Sequence, residues 1–198
     1  EEMNLRVTYI LSVIGFDTIV SLAQPVRYRD KIFDSFQVKS DIRYGIHPEN
    51  VLDLYLPPTT DTVVSRPLVM FIHGGGFKNP TQTKVGSFQA RVCTSLVRRG
   101  YVAVSINYRL TPVIPNDAAY FETMLRALQD AKAAIRFCRK DATVYGINPS
   151  FIAAIGSSAG SIIALHLAYL DSAEVPRYVR WENVGGSFDE GSDSLKND

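Results

Sequence analysis

Ser158 stands in Gly156-Ser157-Ser158-Ala159-Gly160, between the apolar runs Phe151-Ile152-Ala153-Ala154-Ile155 and Ile162-Ile163-Ala164-Leu165. Strand, sharp turn and helix in that order is the context in which a G-x-S-x-G motif presents its serine as a nucleophile. The turn must reverse direction where strand and helix nearly touch, so Gly156 and Gly160 keep side-chain bulk out of the contact. A hydroxyl attacking a carbonyl also needs donors for the negative charge that develops on the carbonyl oxygen. His73-Gly74-Gly75-Gly76-Phe77 offers them, because three consecutive glycines leave their N–H groups unobstructed. A phosphate-binding loop is the competing reading, and it would want a helix and a Lys-Ser/Thr pair after the glycines. Phe77-Lys78-Asn79-Pro80 follows instead, and Pro80 opposes a helix start there.

The elements that must position these groups are legible around them. Pro67 to Ile72 reads as a buried strand, short, apolar and ended by glycines. Val51 to Leu56 alternates apolar and polar residues as a half-buried strand does, with Phe36 to Tyr44 as its antiparallel partner and Gly45 to Asn50 as the turn. Phe88, Val92 and Leu96 recur at four-residue intervals before Arg98-Arg99-Gly100, a helix ending, and Tyr101 to Asn107 is the next strand. From Asp117 the apolar residues Phe121, Met124, Leu125, Leu128, Ala131, Ile135 and Cys138 mark one face of a long helix predicted to end near Tyr145-Gly146. Strands alternating with helices of this length predict an α/β fold with a parallel sheet covered on both faces.

With both motifs placed, the chain resembles the α/β-hydrolases. The closer resemblance is to H-G-G-G esterases and lipases of the hormone-sensitive-lipase kind, similar to secreted bacterial esterases. It runs from about Phe33 to the end, through His73 to Phe77, Gly100 to Leu110, Tyr145 to Pro149 and the Gly156 to Gly160 turn. It implies a three-layer α/β-hydrolase fold with a mostly parallel central sheet and an antiparallel N-terminal hairpin. It also implies a carboxylesterase or lipase activity with Ser158 as nucleophile and the N–H groups of Gly75, Gly76 and Ala159 as the oxyanion hole. His73, Gly74, Gly156 and Gly160 would shape the site. The loop Thr111 to Asn116 would border the pocket, the substrate would be a small-molecule or lipid-like ester, and no metal or organic cofactor is implied.

A serine of this kind needs a base, and in this fold the acid and then the histidine follow the serine. Only forty residues follow Ser158, and His166 is their single histidine. It lies eight positions along the same helix, about 12 Å up the axis at 1.5 Å per residue, out of hydrogen-bond range. His47 and His73 precede the serine. Asp130 reads as holding a neighbouring turn, and Asp189, Glu190, Asp193 and Asp198 as a solvated tail. The segment from Trp181 to Gly191 resembles the lead into a further core strand. The chain is therefore expected to lack the later strands, the triad acid and the triad histidine, and to be inactive alone. The alternative is a non-catalytic binding protein of the same fold.

Composition bounds the remainder. With 198 residues, 46% hydrophobic and 21% charged, the chain can bury one substantial core, and residues 24–198 read as part of a single domain. A net charge of +1 gives no electrostatic case for nucleic acid, and no apolar run is long enough to span a membrane. Residues 1–23 read as a signal peptide, with Ser21-Leu22-Ala23 at the cleavage position, or as an N-terminal helix. The first reading places the protein outside the cell or in the periplasm, the second in the cytoplasm. Cys93 and Cys138 could form a disulfide if their helices share a face of the sheet, or could be two buried thiols.

Overall fold

A computed structural model describes residues 9–13, 16–20 and 24–188, with side chains from residue 24 onward. The proposed cleavage position and the tail carboxylates Asp189, Glu190, Asp193 and Asp198 lie outside the described residues. The central sheet has five strands: β3 (Gln37–Arg43), β4 (Val51–Leu56), β5 (Arg66–Ile72), β6 (Val102–Ile106) and β7 (Ile147–Gly156), in the order β3-β4-β6-β5-β7. β3 and β4 form the expected hairpin and β4 runs antiparallel to β6, whereas β6, β5 and β7 are parallel.

Alternation along the strands sorts the core into two layers. Leu52 and Leu54, Leu68, Met70 and Ile72, and Val102, Val104 and Ile106 pack with helix α2 (Asp117–Lys140) and helix α4 (Ala159–Tyr169). Tyr55, Phe71 and Ala103 pack on the other face with Cys93 and Val97 of helix α1 (Ser87–Val97). Cys138 belongs to the first layer and Cys93 to the second, so the sheet stands between them and both are free buried thiols. The disulfide reading is thereby corrected. Burial pushes both thiols up to about 12, which keeps them protonated and unreactive.

Two features differ from the sequence reading. The buried residues of α1 are Gln89, Cys93 and Val97, one position along from the expected stripe, because Val92 and Leu96 take the shoulder of the contact and Phe88 reaches only the edge of Phe71, ring centroids 5.7 Å apart. The long helix stops at Lys140, and a separate turn α3 (Ala142–Tyr145) follows, closed by Gly146 in the left-handed region at φ 64°. Its start is set by Asn116, whose side chain accepts from Ala119 N at 2.9 Å, and Arg139 and Lys140 sit where the helix dipole favours cations.

The described part of the amino end is extended. β1 (Tyr9–Val13) and β2 (Phe16–Val20) pair antiparallel as a separate two-stranded sheet, in keeping with their β-branched and aromatic content. Among the described residues no helix is long and apolar enough to cross a membrane. A short helix α5 (Trp181–Val184) ends the described chain against α2, where Glu122 accepts from Arg180 N and from Asn183 Nδ2.

Candidate active site

Parallel register brings the two motifs together. Ile72 of β5 lies opposite Gly156 of β7, so the glycine loop and the serine turn leave the sheet side by side at the same end. Ser157 N donates to Ile72 O at 3.2 Å and closes the pairing. Ser158 then adopts φ 52°, ψ −117°, a conformation costly for a residue with a side chain, and α4 begins at once. Neither glycine of the turn is replaceable without movement. A Cβ on Gly160 would lie 2.1 Å from Ile72 O, and one on Gly156 would lie 2.2 Å from the Gly160 carbonyl carbon.

The glycine loop crosses directly over this turn. A Cβ on Gly74 would sit 2.9 Å from Ser157 O and 3.3 Å from Ser158 Cβ. Gly75 and Gly76 have φ 114° and 61°, which aim the loop in a way other residues rarely allow. Among the described residues, the N–H groups of Gly75, Gly76 and Ala159 make no hydrogen bond, whereas Gly75 O accepts from Lys78 N and Asn79 N. A cleft of about 440 Å³ opens here, lined by Gly74, Gly75, Asn79, Gln82, Phe88, Gln89, Ser157 and Ser158. No residue of Thr111 to Asn116 is among those lining it. Thr111 is instead held beneath, its N–H donating to Phe77 O at 2.8 Å.

His73 is a structural residue of the loop. It is buried, its ring stacks on Tyr108 at 4.4 Å, and Nδ1 lies 2.7 Å from Gly74 O. A carbonyl can only accept, so Nδ1 carries the proton. Tyr108 Oη donates to His73 O at 2.9 Å. Phe77, fully buried at φ 64°, packs edge-on against Tyr108 and Tyr120 and anchors the far side of the loop. None of the three histidines lines the cleft: His47 is in the β3–β4 turn, and His166 donates Nδ1–H to Ile162 O at 2.7 Å within α4. Asp130 is wholly buried and accepts from Arg109 N at 2.8 Å and from its guanidinium, holding the turn after β6 as the sequence suggested.

The loop's return to α1 is pinned by a buried ion pair. Lys84 Nζ lies 2.5 Å from Asp53 Oδ1 and 2.9 Å from Asp41 Oδ1. The Lys84 backbone is held too, its N–H donating to Asn107 Oδ1 at 2.6 Å and its carbonyl accepting from Ser105 Oγ at 2.9 Å. Burial pulls the ammonium down, and the hydrogen bonds to Asp53 and Asp41 outweigh it, so Lys84 stays charged.

Residues 52–193 match the family described as BD-FAE, more than half of the chain. The chain belongs to the BD-FAE family. This BD-FAE chain is 32% identical over 136 residues to a probable isoprenylcysteine alpha-carbonyl methylesterase of Arabidopsis thaliana, covering 67% of this chain and 28% of that one. It is 32% identical over 141 residues to the esterase LipI of Mycobacterium tuberculosis, covering 64% and 40%. In structure it is similar to an inhibited esterase B from Lactobacillus rhamnosis, with TM-score 0.57, 26% identity and coverage of 80% and 47%. The BD-FAE chain thus spans about a third of its curated relatives and about half of this solved structure. The α/β-hydrolase fold implied by the motifs is the fold of the molecule.

Tyr108, Lys84, Asp53, Gln82 and Gln89 carry or line the BD-FAE site and escaped the sequence reading. Tyr108 sat in a stretch read only for its resemblance, and the others have no motif spacing. Buried His73 supplies a pH test. Burial lowers its pKa below the usual 6.5, although the Gly74 carbonyl opposes this, so the folded protein holds it neutral while the unfolded chain takes up a proton as pH falls. Its contribution to stability is complete above about pH 6.5 and declines below it, by up to about 1.4 kcal/mol per pH unit. Urea unfolding at pH 7.5 and 5.5 should show this loss, and His73→Asn should flatten it. An unchanged slope in the variant would contradict the buried neutral imidazole.

Proposed function

We propose that the protein is a serine hydrolase of carboxylic esters. Ser158 Oγ attacks the ester carbonyl carbon as its proton passes to a base, and the carbonyl oxygen takes the charge within reach of Gly75, Gly76 and Ala159 N–H. Collapse of that intermediate expels the alcohol with a proton and leaves an acyl group on Ser158, which water removes by the same route in reverse. None of the three histidines of residues 1–198 lines the cleft, so the base that takes this proton is assigned to none of them.

The observation that carries this reading is the strained φ of Ser158 at the mouth of a cleft shared with Gly74 and Gly75. Strain of this kind persists only where the surrounding fold enforces it, and free N–H groups beside it match the demand of a developing oxyanion. Relatives named esterase and methylesterase make an ester the bond in question. A test is pre-steady-state hydrolysis of p-nitrophenyl acetate by the full-length protein. A burst of p-nitrophenolate close to one equivalent, followed by slower turnover, is expected. Tight binding of esters without any release would favour the binding-protein reading instead.

A further inference from the structure

A second hollow lies away from Ser158, at the other end of α1. It measures about 460 Å³ and is lined by Lys31, Ala90, Arg91, Thr94, Ser95, Arg98 and Arg99. Phe88 and Gln89, at the start of α1, face the Ser158 cleft. Arg98 is ten residues further along the chain, about 15 Å at the helical rise, so the two sites are separate.

One wall is a turn of α1 and its C-terminal cap, where residues 91, 95 and 99 and residues 94 and 98 stack at four-residue spacing. The other is the segment around Lys31, clamped in place: Tyr28 N donates to Arg99 O, Ile32 N and Phe33 N to Arg98 O, and Arg27 binds Asp61 through both guanidinium nitrogens. The hollow is therefore built from fixed backbone on both sides.

Its charge is unbalanced. Lys31 pairs with Asp34, and Arg29 with Asp30. Arg99 is spent on Ser95 and on Arg29 O. Arg91 and Arg98 are less committed: among the described residues neither guanidinium donates a hydrogen bond or forms an ion pair, while Arg98 rests over the Phe36 ring at 5.5 Å and interacts at longer range with the Asp34 carboxylate. The helix dipole accounts for cations at Arg98 and Arg99, in the cap of α1, but not for Arg91 in its middle. Apart from the buried Arg98 Nε, the N–H donors of these two guanidinium groups, beside two further cations in a concave site, have the fork geometry that matches phosphate oxygens bidentately.

We propose that this hollow is a binding site for a multivalent phosphate-type anion, free or displayed on a lipid headgroup. Arg91 and Arg98 make the direct contacts, and Lys31 and Arg99 supply field. Long aliphatic stems and firm backbone let the four cations converge beside Asp34, which offsets Lys31 and leaves net positive charge for the ligand to balance.

The test is calorimetric titration of the full-length protein with sodium tripolyphosphate at low salt. Arg91→Ala with Arg98→Ala should weaken binding at least tenfold. Removing the same charge from the end of α2, by Arg139→Ala with Lys140→Ala, should change it less than twofold. Arg91 is exposed, so Arg91→Glu alone gives a variant that keeps the fold and should abolish binding. Co-sedimentation with phosphatidylcholine vesicles, with and without phosphatidic acid, separates the sources. Retention only with phosphatidic acid assigns a headgroup, and titration without retention assigns a soluble anion. Equal losses in the two double variants, or no titration of the parent, would overturn the site.

Discussion

Ser158→Ala is expected to lower the ester turnover of the full-length protein by roughly 10⁴–10⁶-fold, the scale on which triad members act as a unit. The loss should fall on kcat. The walls of the cleft are the backbone of Gly74 and Gly75 and the side chains of Asn79, Gln82 and Gln89, none of which depends on the Ser158 hydroxyl, so KM should move only a few-fold. Ser157 is the control. It is exposed in the same turn and lines the same cleft, but its N–H is spent on Ile72 O and its backbone makes the turn. Ser157→Ala should cost less than about tenfold, because it removes no bond-making atom. If Ser158→Ala kept activity within tenfold of the parent, the nucleophile would lie elsewhere.

Asp53→Ala is expected to destabilise the fold by about 3–5 kcal/mol, a large share of the 5–15 kcal/mol of a typical domain. Asp53 and Lys84 have side chains only 4% exposed, and the remaining partner, Asp41, is 76% exposed on a β-bulge where it sits at φ 58°. Removal of Asp53 leaves a buried ammonium whose one remaining carboxylate is largely hydrated, and also strands Asp41 N–H, which donates to Asp53 at 3.0 Å. The pair as such need not stabilise. Asp53→Leu with Lys84→Met removes both charges and should recover most of the loss, as apolar replacements of buried pairs often do. Urea unfolding of the three proteins measures this, and an Asp53→Ala cost below about 1 kcal/mol would contradict it. The site should suffer as well, since Lys84 fixes the return of the loop bearing Gly75, Asn79 and Gln82.

How much of this was legible before the structure depends on the kind of signal. Strands β4, β5 and β6 and the long helix announce themselves through short-period patterns, and Gly156, Gly160 and His73 to Gly76 through residue types that only a close approach or an open N–H explains. Those signals are local. The contacts that support the site are not: Lys84 and Asp53 stand 31 positions apart, His73 and Tyr108 35 apart, and no periodicity links either pair. The position of Cys93 and Cys138 on opposite faces follows from strand order and from which face each crossover covers, which a linear pattern leaves open. The one-residue rotation of α1 has the same origin, because Gln89 and Cys93 do not advertise themselves as core while Phe88 does. The amino-terminal apolar run reads as a signal or a helix by composition alone, and the pairing of Tyr9–Val13 with Phe16–Val20 is not announced by any local pattern.

One oxygen atom, Ser158 Oγ, carries the proposed chemistry. A fluorophosphonate probe, incubated with the full-length protein and followed by proteolysis and mass spectrometry, reports which hydroxyl is activated. One phosphonyl group per chain, carried by the peptide containing Ser158 and absent from the Ser158→Ala protein, is the expected result. Equal labelling of the two proteins, or a phosphonyl group on another residue, would contradict the assignment of Ser158 as the nucleophile.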